Sequence, residues 1–256
     1  MNEANKIRFD FISRAVDVAG NLLLSDSNER KKVTKKAVND FVTVSDKKCE
    51  TLLRDLIHHT FSHDAILCEE DGLTKGDSGA LWVIDPIDGT VNFMNNFPLY
   101  TISIALYEGE NPVFGIVYVP YYNEKFTGIV GEGAFLNDEK LSVTDEKDFS
   151  RTLALVVPPH RHHELIPAFM GKYLNILNSV SDIRSIGSAA LSLCYVASGR
   201  CSFYYESMLK FHDIAAGVII LSEAGGKIED EVDSDDNYLI SAYAPQFEKK
   251  VKECLR

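Results

Sequence analysis

Apolar residues at Ile7, Phe11, Ile12, Ala15, Val18, Ala19 and Leu22 recur at three- and four-residue intervals. That spacing predicts an amphipathic helix over residues 5–24, packed by one face. A charged linker, residues 25–36, follows. Residues 40–46 then lead into a second helix whose apolar face is Cys49, Leu52, Leu53, Leu56 and Ile57, with Ser45 or Asp46 as its cap. The brief apolar run 65–68 predicts a strand ending in Glu69-Glu70-Asp71-Gly72, and the polar residues 73–79 predict a mobile loop. Leu-Trp-Val-Ile at 81–84 predicts a buried strand that stops at Asp85, because Pro86 has no N–H to give to a ladder. Gly89 turns the chain there, and Thr90 is predicted to cap a short helix through Asn95.

Four strands follow, at 100–107, 113–119, 125–130 and 134–136, joined by links short enough for an antiparallel sheet. From residue 151 onward the pattern alternates. It predicts strands at 153–157, near 183, and at 202–205, 226–228 and 238–242, with helices around 165–173 and at 188–197, 213–224 and 246–255. Alternation of this kind indicates layered α/β packing. We therefore expect a single unit over 1–256, with an N-terminal α+β lobe to about residue 145 and a C-terminal α/β lobe from 146.

Composition narrows the function classes. The 256 residues are 45% hydrophobic and 25% charged, and no stretch approaches the roughly 18 apolar residues of a membrane span. No membrane partner is expected. The N-terminus lacks a signal-peptide pattern, so a cytoplasmic protein is expected. A formal net charge of −12 argues against nucleic acid, whose binding relies on clustered Lys and Arg. The five cysteines (Cys49, Cys68, Cys194, Cys201, Cys254) form no C-x-x-C pair and read as reduced and mostly buried.

The richest stretch for chemistry is Asp85-Pro86-Ile87-Asp88-Gly89-Thr90. Two carboxylates beside the N–H groups of Gly89 and Thr90 suit a phosphate held between hard divalent cations and a helix N-terminus. Asp46 and Asp213, each taken alone, read as helix caps, and Glu69-Glu70-Asp71 as solvated acids. Gly131-Glu132-Gly133 lacks the ending of a P-loop and reads as a turn. His160, Arg161, His162 and His163 after Pro158-Pro159 could flank a phosphate but read as a solvated loop. His58, His59 and His63 lack zinc-like partners, and the acidic run 229–236 reads as solvated.

Together, Asp85 to Thr90 with Asn92-Phe93, Glu69-Glu70, the approach 40–46, Gly187-Ser188-Ala189-Ala190, Tyr204-Tyr205-Glu206 and Asp213 with its small-residue helix resemble the inositol monophosphatase family in order and spacing. These are magnesium-dependent, lithium-sensitive phosphatases. The resemblance implies the layered αβαβα sandwich (α+β) shared with fructose-1,6-bisphosphatase. It also implies Glu69, Asp85, Asp88, Asp213 and the carbonyl of Ile87 as ligands to two or three Mg²⁺, with Mn²⁺ a possible substitute and Glu70 behind them. Thr90 paired with Asp46 would activate water, and the Gly89 and Thr90 N–H groups would hold phosphate. Gly187, Ser188, Ala189, Glu206 and His212 would line the rest of the substrate pocket. A homodimer acting on a small phosphorylated polyol, sugar or nucleotide is expected.

Chemistry supports the same assignment. Two carboxylates about 4 Å apart repel by roughly 4 kcal/mol at an effective dielectric near 20, so several in one cleft need cations or protons. Oxygen-only ligands favour Mg²⁺ over zinc. The chain departs from the family pattern at His212, where Trp is common, at Phe211 in place of Pro, and at Val119 in place of an acid. Inositol 1-phosphate is the leading substrate, with fructose 1,6-bisphosphate, NADP(H) and 3′-phosphoadenosine 5′-phosphate as alternatives. Asp88-Gly89-Thr90 also echoes the haloacid-dehalogenase signature, but that motif needs an Asp where this chain has Pro86. A metal-binding regulatory protein without turnover is the non-enzyme alternative. Replacing Asp88 by Asn is expected to abolish turnover with little loss of stability.

Overall fold

The computed structural model describes residues 1–26, 30–37 and 40–256. Helix α1 (Glu3–Ser25) starts where the Asn2 side chain accepts the Asn5 N–H, and it buries Ile12, Ala15, Val16, Ala19 and Leu23. Part of the expected linker is instead a hairpin, β1 (Val33–Ala37) paired antiparallel with β2 (Asp40–Thr43). Its Lys-rich first strand has no apolar alternation to betray it. Residues 27–29 of that linker lie outside the described residues. Helix α2 (Val44–Thr60) is capped by Thr43 rather than by Ser45 or Asp46. The Thr43 side chain accepts the Ser45 and Asp46 N–H groups, and Asp46 closes a capping box from the third helical position.

The next segments build one eight-stranded sheet. They are β3 (Ala65–Cys68), β4 (Gly72–Thr74), β5 (Ala80–Asp88), the short helix α3 (Thr90–Met94), β6 (Thr101–Glu108), β7 (Asn111–Val119), β8 (Glu124–Ile129), β9 (Gly133–Leu136) and β10 (Glu139–Lys140). The strand order is β10-β9-β8-β7-β6-β5-β3-β4, and only the β3/β5 pair is parallel. Strand β4 replaces the first part of the expected mobile loop. The remainder is tied down: the N–H groups of Asp77 and Ser78 both donate to the His63 carbonyl. The buried Asp64 carboxylate accepts from Arg8, Ser78 and the Trp82 indole. Burial pushes Asp64 up, but those donors outweigh it and hold the group below the usual carboxylate range.

A second, five-stranded sheet is built from β11 (Leu153–Val156), helix α4 (Ile166–Leu177), β12 (Asp182–Arg184), helix α5 (Ala189–Ala197), β13 (Phe203–Leu209), helix α6 (Phe211–Glu223), β14 (Lys227–Val232), β15 (Tyr238–Tyr243) and helix α7 (Glu248–Cys254), in the order β12-β11-β13-β15-β14. Strand β14 runs through Glu229 to Val232, longer than its apolar start predicts.

Alternation along the strands makes the layers. Trp82, Ile84, Ile104 and Ile116 face α1 and α2, while Val83, Ala105 and Val117 face the other way. That second face packs on α5 and α6, which in turn cover Tyr204, Ile240 and Ala242 of the small sheet. The far face of the small sheet, including Val156, Phe203 and Tyr243, packs on Phe169 and Ile176 of α4 and Val251 of α7. The layer order is therefore αβαβα, as the sequence resemblance implies. Each fully buried Leu, Ile or Phe in these interfaces is worth about 1.5–3 kcal/mol. Val119 lies in the central interface, fully buried, which accounts for an apolar residue there. All five cysteines are free and buried. No helix among the described residues is long and apolar enough to cross a membrane.

Candidate active site

Strand β5 does not stop at Asp85. It continues to Asp88 through an irregularity: Asp85 pairs with Ser103 and Asp88 with Thr101, so three steps along β5 match two along β6. Residues three apart in a regular strand point to opposite faces. The extra residue brings Asp85 and Asp88 to the same face, and it takes up Pro86 where a ladder N–H is not required. Asp85 Oδ1 accepts the Ile87 N–H at 3.0 Å, which fixes the bulge from inside.

Gly89 follows with φ of 97°, and it, not Thr90, is the residue before α3. A Cβ on Gly89 would sit 3.0 Å from the Gly187 carbonyl oxygen, and Gly187 itself has φ of 72° with Asn92 packed against it. The two sheets thus meet glycine to glycine at the cleft. Asn92 stitches the joint by donating to the carbonyls of Leu99 and Ile186.

Thr90 is the first residue of α3 and does not cap it. Its hydroxyl lies 3.1 Å from the Ile87 carbonyl and 3.3 Å from Asp46 Oδ1, so one proton is shared between two acceptors. Asp46 is fully buried, and its other oxygen accepts the Thr43 N–H and hydroxyl. Burial pushes its pKa up to about 6, against the lowering effect of the Thr43 bonds.

Asp88 is nearly buried, and its carboxylate reaches the start of α5. It accepts from the Ser188 hydroxyl at 2.6 Å and from the N–H groups of Ala190 at 2.7 Å and Ala189 at 3.2 Å. Ser188 also caps α5 through the Leu191 N–H. Even with those donors, burial first and Asp213 second raise the Asp88 pKa to about 7. Asp85 is raised well above the carboxylate range by burial, then by Glu69, Asp88, Asp213 and Asp46. Asp213 closes the first turn of α6 onto the Lys210 N–H at 2.6 Å.

These groups border a cavity of about 470 Å³ between the sheets. Asp85, Ile87, Asp88, Gly89, Thr90, Gly187, Ser188, Ala189, Glu206 and Asp213 all line it. Glu206 accepts the Tyr204 hydroxyl at 2.6 Å, and burial lifts its pKa to about 8. His160 and Arg161, exposed as the solvated-loop reading expects, and the half-buried His162 also line the rim of the cavity. Four expected site residues are not among the lining residues: Asp46 and Glu69, Glu70 and His212. His212 instead places Nε2 3.5 Å from Asp213 Oδ1. Glu69 is half-buried at the end of β3, its N–H donating to the Ile84 carbonyl.

Glu50 escaped the sequence reading. This buried carboxylate accepts the N–H groups of Glu70 and Asp71, both at 2.9 Å, and so shapes the acidic turn. A signal was available: Asp46, Cys49, Glu50, Leu53 and Ile57 form a single helical stripe, and an acid within a buried stripe requires partners.

Among the described residues, no three His, Cys, Asp or Glu side chains already surround one metal-sized point. The donor chemistry nevertheless fits hard divalent cations. It consists of oxygen donors alone, on carboxyl groups whose mutual repulsion and burial raise their pKa values, so the site favours added positive charge.

The layered fold with its acid-lined cleft is that of a family of phosphatases. The chain belongs to the inositol monophosphatase family, whose profile matches residues 7–247. It is 38% identical over 253 residues to the Nus factor SuhB of Pasteurella multocida, covering 94% of each chain. It is 34% identical over 238 residues to inositol monophosphatase 2 of Solanum lycopersicum, covering 88% of this chain and 89% of that one. The crystal structure of the extragenic suppressor protein suhB from Bartonella henselae superposes with a TM-score of 0.91 at 31% identity, covering 98% of each chain.

Proposed function

We propose that this chain hydrolyses small phosphate monoesters with bound Mg²⁺, Mn²⁺ serving as a substitute, and that inositol 1-phosphate is its leading substrate. The observation that carries the reading is the β5 bulge, which turns Asp85 and Asp88 to one face beside Asp213 in a single cavity. Glu69, Asp85, Asp88, Asp213 and the Ile87 carbonyl would hold two or three cations, with Glu70 supporting the turn behind Glu69. When bound, the cations would supply the positive charge that polarises the phosphoryl group and eases deprotonation of water.

The chain's own groups do the rest. Thr90 Oγ orients the attacking water and passes its proton toward Asp46 Oδ1, whose pKa near 6 suits proton transfer close to neutral pH. The N–H groups of Gly89 and Thr90 hold phosphate oxygens. Gly187, Ser188, Ala189 and Glu206 face the alcohol portion. With its pKa near 8, the Glu206 carboxyl is protonated at pH 7 and can both donate to and accept from substrate hydroxyls. His212, with Nε2 3.5 Å from Asp213 Oδ1, supports that carboxylate from outside the cavity lining. Water attacks phosphorus in line, and no covalent enzyme intermediate forms, since Pro86 occupies the position where an aspartyl nucleophile would stand. The enzyme is taken to be cytoplasmic and homodimeric.

A panel of inositol, sugar and nucleotide monophosphates, assayed with Mg²⁺ in the presence and absence of Li⁺, tests this. Magnesium-dependent, lithium-inhibited release of phosphate is expected, fastest on inositol 1-phosphate. Absence of hydrolysis by folded protein on every ester would reject the reading. It would favour the second reading, a metal-binding regulatory protein without turnover, which fits the naming of several relatives as Nus factors.

A further inference from the structure

Helix α2 presents Asp46, Cys49 and Glu50 on one buried face, and each of these side chains grips a different part of the cleft. Asp46 accepts from the Thr90 hydroxyl. The Cys49 thiol donates to the Pro86 carbonyl at 3.5 Å, inside the β5 bulge. Glu50 reaches a third part, the loop Glu69-Glu70-Asp71 between β3 and β4, which is closed by the pairing of Cys68 with Gly72. Like charges in so tight a loop repel, so it needs outside partners to keep one shape. Helix α2 supplies them. Glu50 Oε2 accepts the Glu70 N–H and Oε1 the Asp71 N–H, both at 2.9 Å. One helical turn further on, Arg54 pairs with the Asp71 carboxylate and turns that acid toward α2. On the other side of the loop, the Glu69 N–H donates to the Ile84 carbonyl at 3.2 Å, and the Glu69 charge is near enough to raise Asp85.

A carboxylate is a costly choice at position 50. Burial raises its pKa and the charges of Glu70 and Glu69 add to the effect, against the lowering influence of the Glu70 N–H. Packing alone would be served better by an apolar side chain. Two acceptor oxygens on one rigid group, however, match two N–H donors in a way that an amide or an apolar residue cannot. We propose that Glu50 is a positioning residue for the cation site: by holding the N–H groups of Glu70 and Asp71 it fixes the loop that keeps Glu69 beside Asp85, and so sets the affinity of the cleft for divalent cations without touching cation or substrate. The inference rests on the proposed reading in which Glu69 is a cation ligand.

The test compares the full native chain with Glu50→Gln and with Asp64→Asn, which alters another buried carboxylate that has several partners but lies ahead of β3 and away from the cleft. Mn²⁺ binding without substrate is read by electron paramagnetic resonance, the Mg²⁺ dependence of phosphate release by assay, and Tm by melting. Gln keeps the length of Glu50 but offers one acceptor and sets an NH₂ against the second N–H. Glu50→Gln is expected to weaken Mn²⁺ binding about tenfold or more and to raise the Mg²⁺ concentration for half-maximal rate by a similar factor, with kcat and ester KM at saturating Mg²⁺ within about twofold of native. Asp64→Asn should lower Tm yet leave the Mn²⁺ Kd within about twofold, which separates positioning from general loss of stability. Hydrogen exchange of the native chain needs no substitution: Mg²⁺ should slow the Glu70 and Asp71 amides about tenfold more than the Asp77 and Ser78 amides, which are held by the His63 carbonyl. Should Glu50→Gln not fold, that measurement decides alone. Equal Mn²⁺ affinity in the native chain and Glu50→Gln, a matching loss in Asp64→Asn, or equal slowing at all four amides overturns the positioning role and leaves the phosphatase reading standing. Glu50-dependent Mn²⁺ affinity with no hydrolysis of any ester leaves the role standing and rejects the phosphatase reading.

Discussion

Two acid-rich stretches of this molecule behave in opposite ways. Asp85 and Asp88 sit on a buried bulge and have raised pKa values, caused first by burial and then by neighbouring carboxylates. Glu229 to Asp236 lies along β14 and its turn, exposed at the edge of the small sheet. There Glu229 is lowered by Lys252 and the Tyr243 hydroxyl, and Asp233 by Asn237 and backbone N–H groups. The second stretch holds more acids, yet each one with a resolved shift is already matched by local donors. What makes a candidate cation site is unmet negative charge withdrawn from water, and the number of acids in a row does not measure it.

The strongest way to break this contrast is to remove a carboxylate from the bulge. Asp85→Asn and Asp88→Asn are each expected to lower kcat by about a thousandfold in the Mg²⁺-dependent assay. Their stabilities should diverge. Among the described residues Asp85 accepts the Ile87 N–H alone, which Asn can still satisfy, so relief of repulsion should leave the metal-free variant melting at or above the native chain at pH 8. Asp88 takes three donors from the start of α5, and Asn offers one oxygen and an opposing amide. A net loss of about 1–2 kcal/mol is expected there, visible as a Tm lower by several degrees. The three donors to Asp88 thus predict a loss where the sequence alone predicts little change, and the melting measurement decides between the two.

The next effect is pH. A carboxyl group raised in the folded chain holds its proton more tightly there than in the unfolded chain, so stability falls as pH rises from the ordinary carboxylate range to the folded value. Asp46 near 6, Asp88 near 7 and Glu206 near 8 all act in this direction. Metal-free protein should melt several degrees higher at pH 5.5 than at pH 8, and saturating Mg²⁺ should shrink that difference. The lowered acids of the β14 region act oppositely, losing their contribution only below the ordinary carboxylate range. A metal-free Tm that rises steadily from pH 5.5 to pH 8 would count against the buried-charge account.

The smallest effect belongs to the edge strand. Asp230→Asn should change stability by no more than about 0.5 kcal/mol and kcat/KM by less than about twofold. A larger loss of activity would mean that β14 takes part in the site after all.

Legibility in the sequence follows the same divide between local and long-range causes. Helix α1 and strands β6 to β9 were readable because apolar spacing alone selects them. Hairpin β1/β2 and strand β4 were not, because polar edge strands owe their form to pairing partners. The acids of the cleft were readable as residue types in a family order. Their common face was not, since it depends on the register of β5 against β6, which no property of β5 alone determines. Thr43 took the cap expected of Ser45 or Asp46 because the helix starts one turn position earlier, freeing Asp46 to reach Thr90.

Asp88 has a further consequence through its bonds to Ser188, Ala189 and Ala190. The oxygens that the proposed reading offers to a cation are the same oxygens that rivet the large sheet to the first turn of α5. On that reading, loading the cleft and tightening its seam would draw on one pair of atoms, so a change of charge state at Asp88 would register at the joint between the two sheets.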